Sequence, residues 1–182
     1  MKMYTIGLVI SFFAAALGGC QMLQESTVPV TAVPAIEAKM VDSDGKNIGT
    51  AVLKEEKEGV LIQLSVKGLE PGEKAVHIHE TGVCTPPEFE SAGGHFNPAG
   101  KQHGFNNPKG YHAGDLPNLK VESDGSIDLE LMVKELTLEK DSEFSLLDED
   151  GSAIVIHEGP DDYQTDPAGN SGARVACGEI NG

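Results

Sequence analysis

Six histidines and one aspartate carry the chemistry of this chain. His77 and His79 stand two residues apart in an apolar run, so on a strand both rings leave one face while Val76 and Ile78 leave the other. Such a pair is a ready metal site, because neutral imidazole suits copper, zinc, iron and nickel; taken alone, it would equally serve as an exposed polar face. His95, His103, His112 and Asp115 follow with the spacing His-x7-His-x8-His-x2-Asp. Three imidazoles and a carboxylate form a complete tetrahedral zinc set, which leaves no open coordination position for a zinc hydrolase. The sixth ring, His157, closes a later apolar run.

The elements that must hold these residues read as antiparallel strands. Ile36, Ala38 and Met40 alternate with Glu37 and Lys39, and Asp42-Ser43-Asp44-Gly45 then supplies a turn before residues 48–53 resume the pattern. Further strands are expected over residues 60–66, 75–79, 119–121, 127–133, 143–147 and 153–157, with turns at Pro71-Gly72, Ser123-Asp124-Gly125 and residues 148–151. Seven or eight short strands at this spacing predict an all-β sandwich or barrel. Two stretches break the rhythm, residues 80–117 and 158–173, both rich in Gly, Pro and Asn. Loops of that length are usually functional, and metal binding would order the first of them, because ligation and ordering are one thermodynamic event.

The N-terminus reads as a targeting segment. Lys2 precedes an apolar run from Ile6 to Leu17, and Leu17-Gly18-Gly19-Cys20 ends it. The run is short for a membrane span of about 20 residues and suits a secretory signal. Small residues directly before a cysteine resemble the bacterial lipobox, which implies cleavage after residue 19 and lipidation of Cys20; the alternative is an ordinary cleaved signal. The expected organisation is therefore a signal over residues 1–19, a lipidated and flexible tether over residues 20–34, and one folded domain over residues 35–182. That domain would be extracytoplasmic, held to the bacterial cell membrane by lipid alone.

Charge and cysteine count agree with this location. The chain carries 29 Asp+Glu against 13 Lys+Arg, a net charge of -16, with 5% aromatic residues and no Trp, so it lacks both the basic patch and the stacking platform that nucleic-acid binding needs. With Cys20 assigned to lipid, Cys84 and Cys177 remain as an even pair in an oxidising compartment, which predicts one disulfide; two free thiols are the alternative.

Taken together, His77-Ile78-His79-Glu80, Cys84, Ala92-Gly93-Gly94-His95-Phe96-Asn97-Pro98, His103-Gly104, His112-Ala113-Gly114-Asp115-Leu116-Pro117-Asn118, Val155-Ile156-His157-Glu158, Asp161-Asp162 and Gly169-Asn170-Ser171-Gly172-Ala173-Arg174 through Cys177-Gly178 resemble copper,zinc superoxide dismutase. The resemblance runs from about Ala35 to the C-terminus. It implies a flattened eight-stranded Greek-key β-barrel and a monomer or homodimer that converts superoxide anion to hydrogen peroxide and dioxygen, with one copper and one zinc per chain. Carried over by position, His77, His79, His95 and His157 match copper ligands. His95, His103, His112 and Asp115 match zinc ligands, so His95 is the bridge. Asp161 matches a carboxylate linking the two ligand sets, Arg174 the residue that docks the anionic substrate, and Cys84 with Cys177 the intrasubunit disulfide. Asp161 could otherwise be one more acidic loop residue, and Arg174 a surface ion-pair partner of Asp161, Asp162 or Asp166.

One departure stands out. Residues 158–173 contain no Lys or Arg, where many family enzymes place basic residues that steer superoxide. A rate that depends weakly on ionic strength, or rises with salt, is expected. A tethered copper or zinc protein without dismutase activity is the alternative function.

Overall fold

A computed structural model describes residues 34–182; the expected signal, Cys20 and nearly all of the tether lie outside them. Among the described residues the architecture is all-β, with a single short 3-10 turn at Glu90–Ala92. The strands are β1 (Ile36–Asp42), β2 (Asn47–Glu56), β3 (Gly59–Lys67), β4 (Gly72–Lys74), β5 (Val76–His79), β6 (Leu119–Val121), β7 (Ser126–Val133), β8 (Ser152–His157) and β9 (Arg174–Ile180). Seven of them form an antiparallel sheet in the order β5-β8-β9-β1-β2-β3-β7, and β4 pairs with β6.

The nine strands fill eight strand positions. β4 and β5 are one course interrupted only at Ala75, whose N–H donates to Gly159 O (2.8 Å) and whose carbonyl accepts from His157 N–H (2.9 Å). The sheet curls because alternate residues must leave water. Ala38 and Met40, Ala51 and Leu53, and Val60, Ile62, Leu64 and Val66 all turn inward and are buried, while their neighbours along the strand face solvent.

β5 and β8 are buried on both faces. Ile78, Ile154 and Ile156 enter the central core, whereas Ala153 and Val155 face outward into a second small cluster with Phe89, Ala92 and Cys177. The long loop over residues 80–118 lies on that outer face, and it also covers the free edge of β5. Ile78 N–H donates to Gly114 O (2.8 Å), Phe96 N–H to Ile78 O (2.8 Å) and Glu80 N–H to Gly94 O (2.9 Å). An edge strand without such partners would present unpaired backbone groups.

Periodicity placed one strand where none forms and missed β4 and β9. Residues 143–147, expected as a strand, form turns: Ser145 N–H donates to Ser142 O (3.1 Å), and Leu147 N–H donates to the Ser145 hydroxyl (3.1 Å). Local hydroxyl bonds compete with a ladder for the same donors. Conversely, β9 carries no clear apolar alternation, because Arg174, Cys177 and Gly178 interrupt it, yet it pairs with both β1 and β8.

Candidate metal centre

Strand parity and one bulge set the first group of rings. His77 and His79 leave the outer face of β5, opposite Val155 and Ala153 of β8. A register shift between Ile156 and His157 turns the last residue of β8 to pair with Arg174. His95 arrives from the loop, where it bridges His79 across the covered edge.

Each ring of this group is fixed by where its proton goes. A carbonyl can only accept, so His79 Nδ1–H donates to Gly93 O (3.0 Å) and His157 Nδ1–H donates to Gly172 O (3.3 Å). His77 Nε2–H donates to Asp161 Oδ2 (2.9 Å). The opposite nitrogens, His77 Nδ1, His79 Nε2 and His157 Nε2, are left as lone pairs, and they are buried with no hydrogen-bond partner, as is His95 Nε2. Ligand atoms of these four residues all lie within 4.8 Å of one another. Leaving four buried nitrogens unpaired would cost on the order of 1–3 kcal/mol each, which a bound cation removes. Four imidazole nitrogens around one point fit copper.

The second group gathers around a carboxylate oxygen. Asp115 Oδ1 lies 2.8 Å from His95 Nδ1, 3.0 Å from His103 Nδ1 and 3.2 Å from His112 Nδ1, and the His95 and His112 nitrogens are 3.3 Å apart. A tetrahedron around zinc has edges of about 3.3 Å for bonds of about 2.0–2.1 Å, and these four separations are close to that; the ligand atoms on this side that all lie within 4.8 Å of one another are those of His77, His95, His103 and Asp115. Neutral His103 gives its one proton, on Nε2, to Asp161 Oδ1 (2.9 Å), so its Nδ1 lone pair faces a carboxylate oxygen. That contact is repulsive unless a cation sits between them or the ring gains a proton. Asp115 is held by main-chain donors to Oδ2 from Gly104 (2.9 Å) and His112 (3.1 Å).

Asp161 therefore touches a ring of each group. Asn118 holds it in place by accepting its N–H (2.8 Å) and donating Nδ2–H to its carbonyl (2.9 Å). Gly169 is required beside it, since a Cβ there would run into the Asp161 carboxylate and His103 Nε2, and its φ is +62°. Asn118 and Gly169 both stand in the strings that carry the family resemblance, but neither residue type marked a role of its own.

Arg174 Nη1 donates to Phe89 O (2.7 Å) and Nη2 to Gly93 O (2.8 Å). The three aspartates that were its alternative partners are engaged elsewhere: Asp161 with His77 and His103, Asp162 with Thr165 and Asn170, and Asp166 with the His103 N–H. Arg174 lines a cavity of about 970 Å³ together with Lys74, Glu70, Glu88, Glu90 and Glu158. Cys84 and Cys177 are joined as a disulfide with Cα atoms 5.7 Å apart.

Burial sets the titration of the first group. It disfavours imidazolium and pulls His79 down to about 2, His95 to about 4 and His157 to about 3, from an ordinary value of 6.5. Burial opposes protonation of His103 as well, but Asp115 and Asp161 outweigh it and raise that ring to about 9. Asp115 and Asp161 are themselves held well below the usual carboxylate range: burial works against ionisation, and hydrogen bonds from the facing histidines prevail. Between pH 6.5 and about 4 the unfolded chain binds protons that His79, His95 and His157 refuse, so stability falls as pH falls. The His103 contribution has the opposite sense, complete below pH 6.5 and lost as pH rises through about 9. The unfolding free energy of the metal-free protein is expected to drop across the acid window at up to about 1.4 kcal/mol per pH unit for each of the three rings, and the urea midpoint to fall with it. A flat midpoint there would mean that these rings are not buried in the metal-free fold.

Comparison with known proteins gives one consistent result. Residues 47–180 match the family described as copper/zinc superoxide dismutase (SODC). A superoxide dismutase-like protein, YojM, of Bacillus subtilis (strain 168) is 44% identical over 191 aligned positions that cover 99% of this chain and 97% of the relative. Superoxide dismutase [Cu-Zn] 2 of Aquifex aeolicus (strain VF5) is 52% identical over 144 positions, covering 79% and 84%. The crystal structure of a SOD-like protein from Bacillus subtilis, as a double mutant with a tyrosine and a proline each replaced by histidine, superposes with a TM-score of 0.79 at 52% identity, covering 80% of this chain and 97% of that one.

Proposed function

The chain belongs to the copper/zinc superoxide dismutase family, and from that premise we propose which residues carry the activity and where in the cell it takes place. The activity is dismutation of superoxide to hydrogen peroxide and dioxygen, with copper and zinc as cofactors. Copper, when bound, supplies a one-electron centre that one superoxide reduces and the next reoxidises, while zinc holds one oxidation state. His77, His79, His95 and His157 are the copper ligands, and His95, His103, His112 and Asp115 are the zinc ligands. The observation that carries this reading is the convergence of four buried, partnerless ring nitrogens on one point.

The residues divide the remaining work. His95 has Nδ1 against Asp115 and a free, buried Nε2 toward the first group, so it would be the ligand shared by the two metals. Asp161 fixes the tautomer and plane of His77 and His103 together. Arg174, held by two carbonyls rather than a carboxylate, keeps its charge free for an incoming anion. Replacing it by leucine is expected to slow dismutation about tenfold or more without changing metal content, as measured by stopped-flow kinetics and elemental analysis of one sample. The acidic walls of the cavity beside Arg174 support a rate that is flat or rising with salt.

The lipobox-like sequence before Cys20 supports an extracytoplasmic, lipid-anchored enzyme, close to where external superoxide meets the membrane. The deciding experiment reconstitutes the domain from Gln21 onward with both metals and measures metal content and dismutation together. About one copper and one zinc per chain, with activity lost on copper removal, is expected. Full loading without activity would favour a metal-binding protein instead.

A further inference from the structure

We propose that Glu80 is a positioning residue for the reaction, acting through a single peptide group on both His79 and Arg174. The inference rests on the reading of His79 as a copper ligand and Arg174 as the anion dock. The group is the trans peptide between Gly93 and Gly94. Its carbonyl accepts from His79 Nδ1–H (3.0 Å) and from Arg174 Nη2 (2.8 Å). Its N–H, which a trans peptide points the opposite way, donates to Glu80 Oε1 (2.9 Å).

Three features make this more than an incidental surface contact. Glu80 follows His79 directly, and its own N–H donates to Gly94 O (2.9 Å), so main chain and side chain grip the same residue. Gly93 has φ +75°, and a Cβ there would lie 2.8 Å from Glu80 Cγ and Oε1, so the glycine is what allows the carboxylate to lie against the peptide. A carboxylate at the N–H end polarises the peptide, and a polarised carbonyl is a stronger acceptor for the imidazole and the guanidinium on its far side. Glu80 thereby holds one copper-ligand ring and the anion-docking cation in a fixed relation, its carboxylate bonded to the peptide and to neither of them.

The test uses the full chain loaded with copper and zinc, with Glu80→Ala and Glu80→Gln beside the unsubstituted protein. Three quantities are read: metal content, the Cu(II) electron paramagnetic resonance spectrum, and the affinity for azide as a small anionic probe. Glu80→Ala is expected to shift the copper hyperfine coupling and to weaken both azide affinity and dismutation roughly tenfold, at unchanged metal content. Glu80→Gln keeps an acceptor but loses the charge, so it should recover the spectrum in part and lose about threefold in azide affinity. A spectrum and azide affinity unchanged in Glu80→Ala would overturn the proposal. Should that variant fail to fold, an unchanged Glu80→Gln would overturn it equally. Failure of the unsubstituted chain to take up copper would instead overturn the ligand assignment, so the two failures are distinct.

Discussion

Replacing His157 by alanine should abolish dismutation while leaving zinc in place. The ring stands at the bulged end of β8, and its Nε2 serves the first group alone, whereas His95, His103, His112 and Asp115 make no use of it. On the proposed ligand set, removing one of four nitrogens should weaken copper binding by roughly a hundredfold or more, since changes even one shell further out typically cost 10–100-fold. Activity should fall by about a thousandfold, because zinc cannot take over one-electron chemistry. Stability of the metal-free protein should change little. The substitution opens a small cavity, but it also removes a buried nitrogen that had no partner. Elemental analysis and pulse radiolysis on one sample decide the matter. A His157→Ala protein that kept its copper and its rate would show that the ring lies beside the centre and takes no part in it.

The contrast between His157 and the groups that hold it explains how much could be read from the chain alone. Candidate metal ligands are conspicuous, because six histidines stand at strand ends and in one polar loop. Strands whose one face enters the core were legible for the same reason: β3 alternates Val60, Ile62, Leu64 and Val66 with exposed or half-buried neighbours. β9 was hidden because its residues serve other ends, with Arg174 bonded to the Phe89 and Gly93 carbonyls, Cys177 in the disulfide, and Gly178 where a side chain would strike Met40. The carbonyls of Phe89, Gly93 and Gly172, which orient Arg174, His79 and His157, left no mark, since every residue has a carbonyl. Asn118 and Glu80 could have been suspected only from their adjacency to the ligand motifs.

Breaking the disulfide should lower both stability and activity, the second through Arg174. Cys177 lies three residues after Arg174 on β9, and Cys84 opens the segment that carries the Phe89 and Gly93 carbonyls. The bond therefore ties the strand bearing the donor to the loop bearing its acceptors. In the chain-entropy account, closing a loop across the separation of 93 residues contributes about 4–5 kcal/mol. For a domain of this size that corresponds to a melting temperature lower by about 10–20 °C in Cys177→Ser. The opened segment keeps other ties, including Cys84 N–H to Glu179 Oε1 (2.8 Å) and Thr85 N–H to Ser91 Oγ (2.8 Å), so it should loosen without leaving the barrel. A loosened segment releases Arg174 from a fixed position, and dismutation should fall by roughly tenfold, the loss expected on removing the guanidinium itself. Because both losses run through one group, they should not add: in an Arg174→Leu background, Cys177→Ser should cost little further activity while costing its full stability. Additive losses in that double-mutant cycle would separate the disulfide from substrate docking and leave it a purely structural tie.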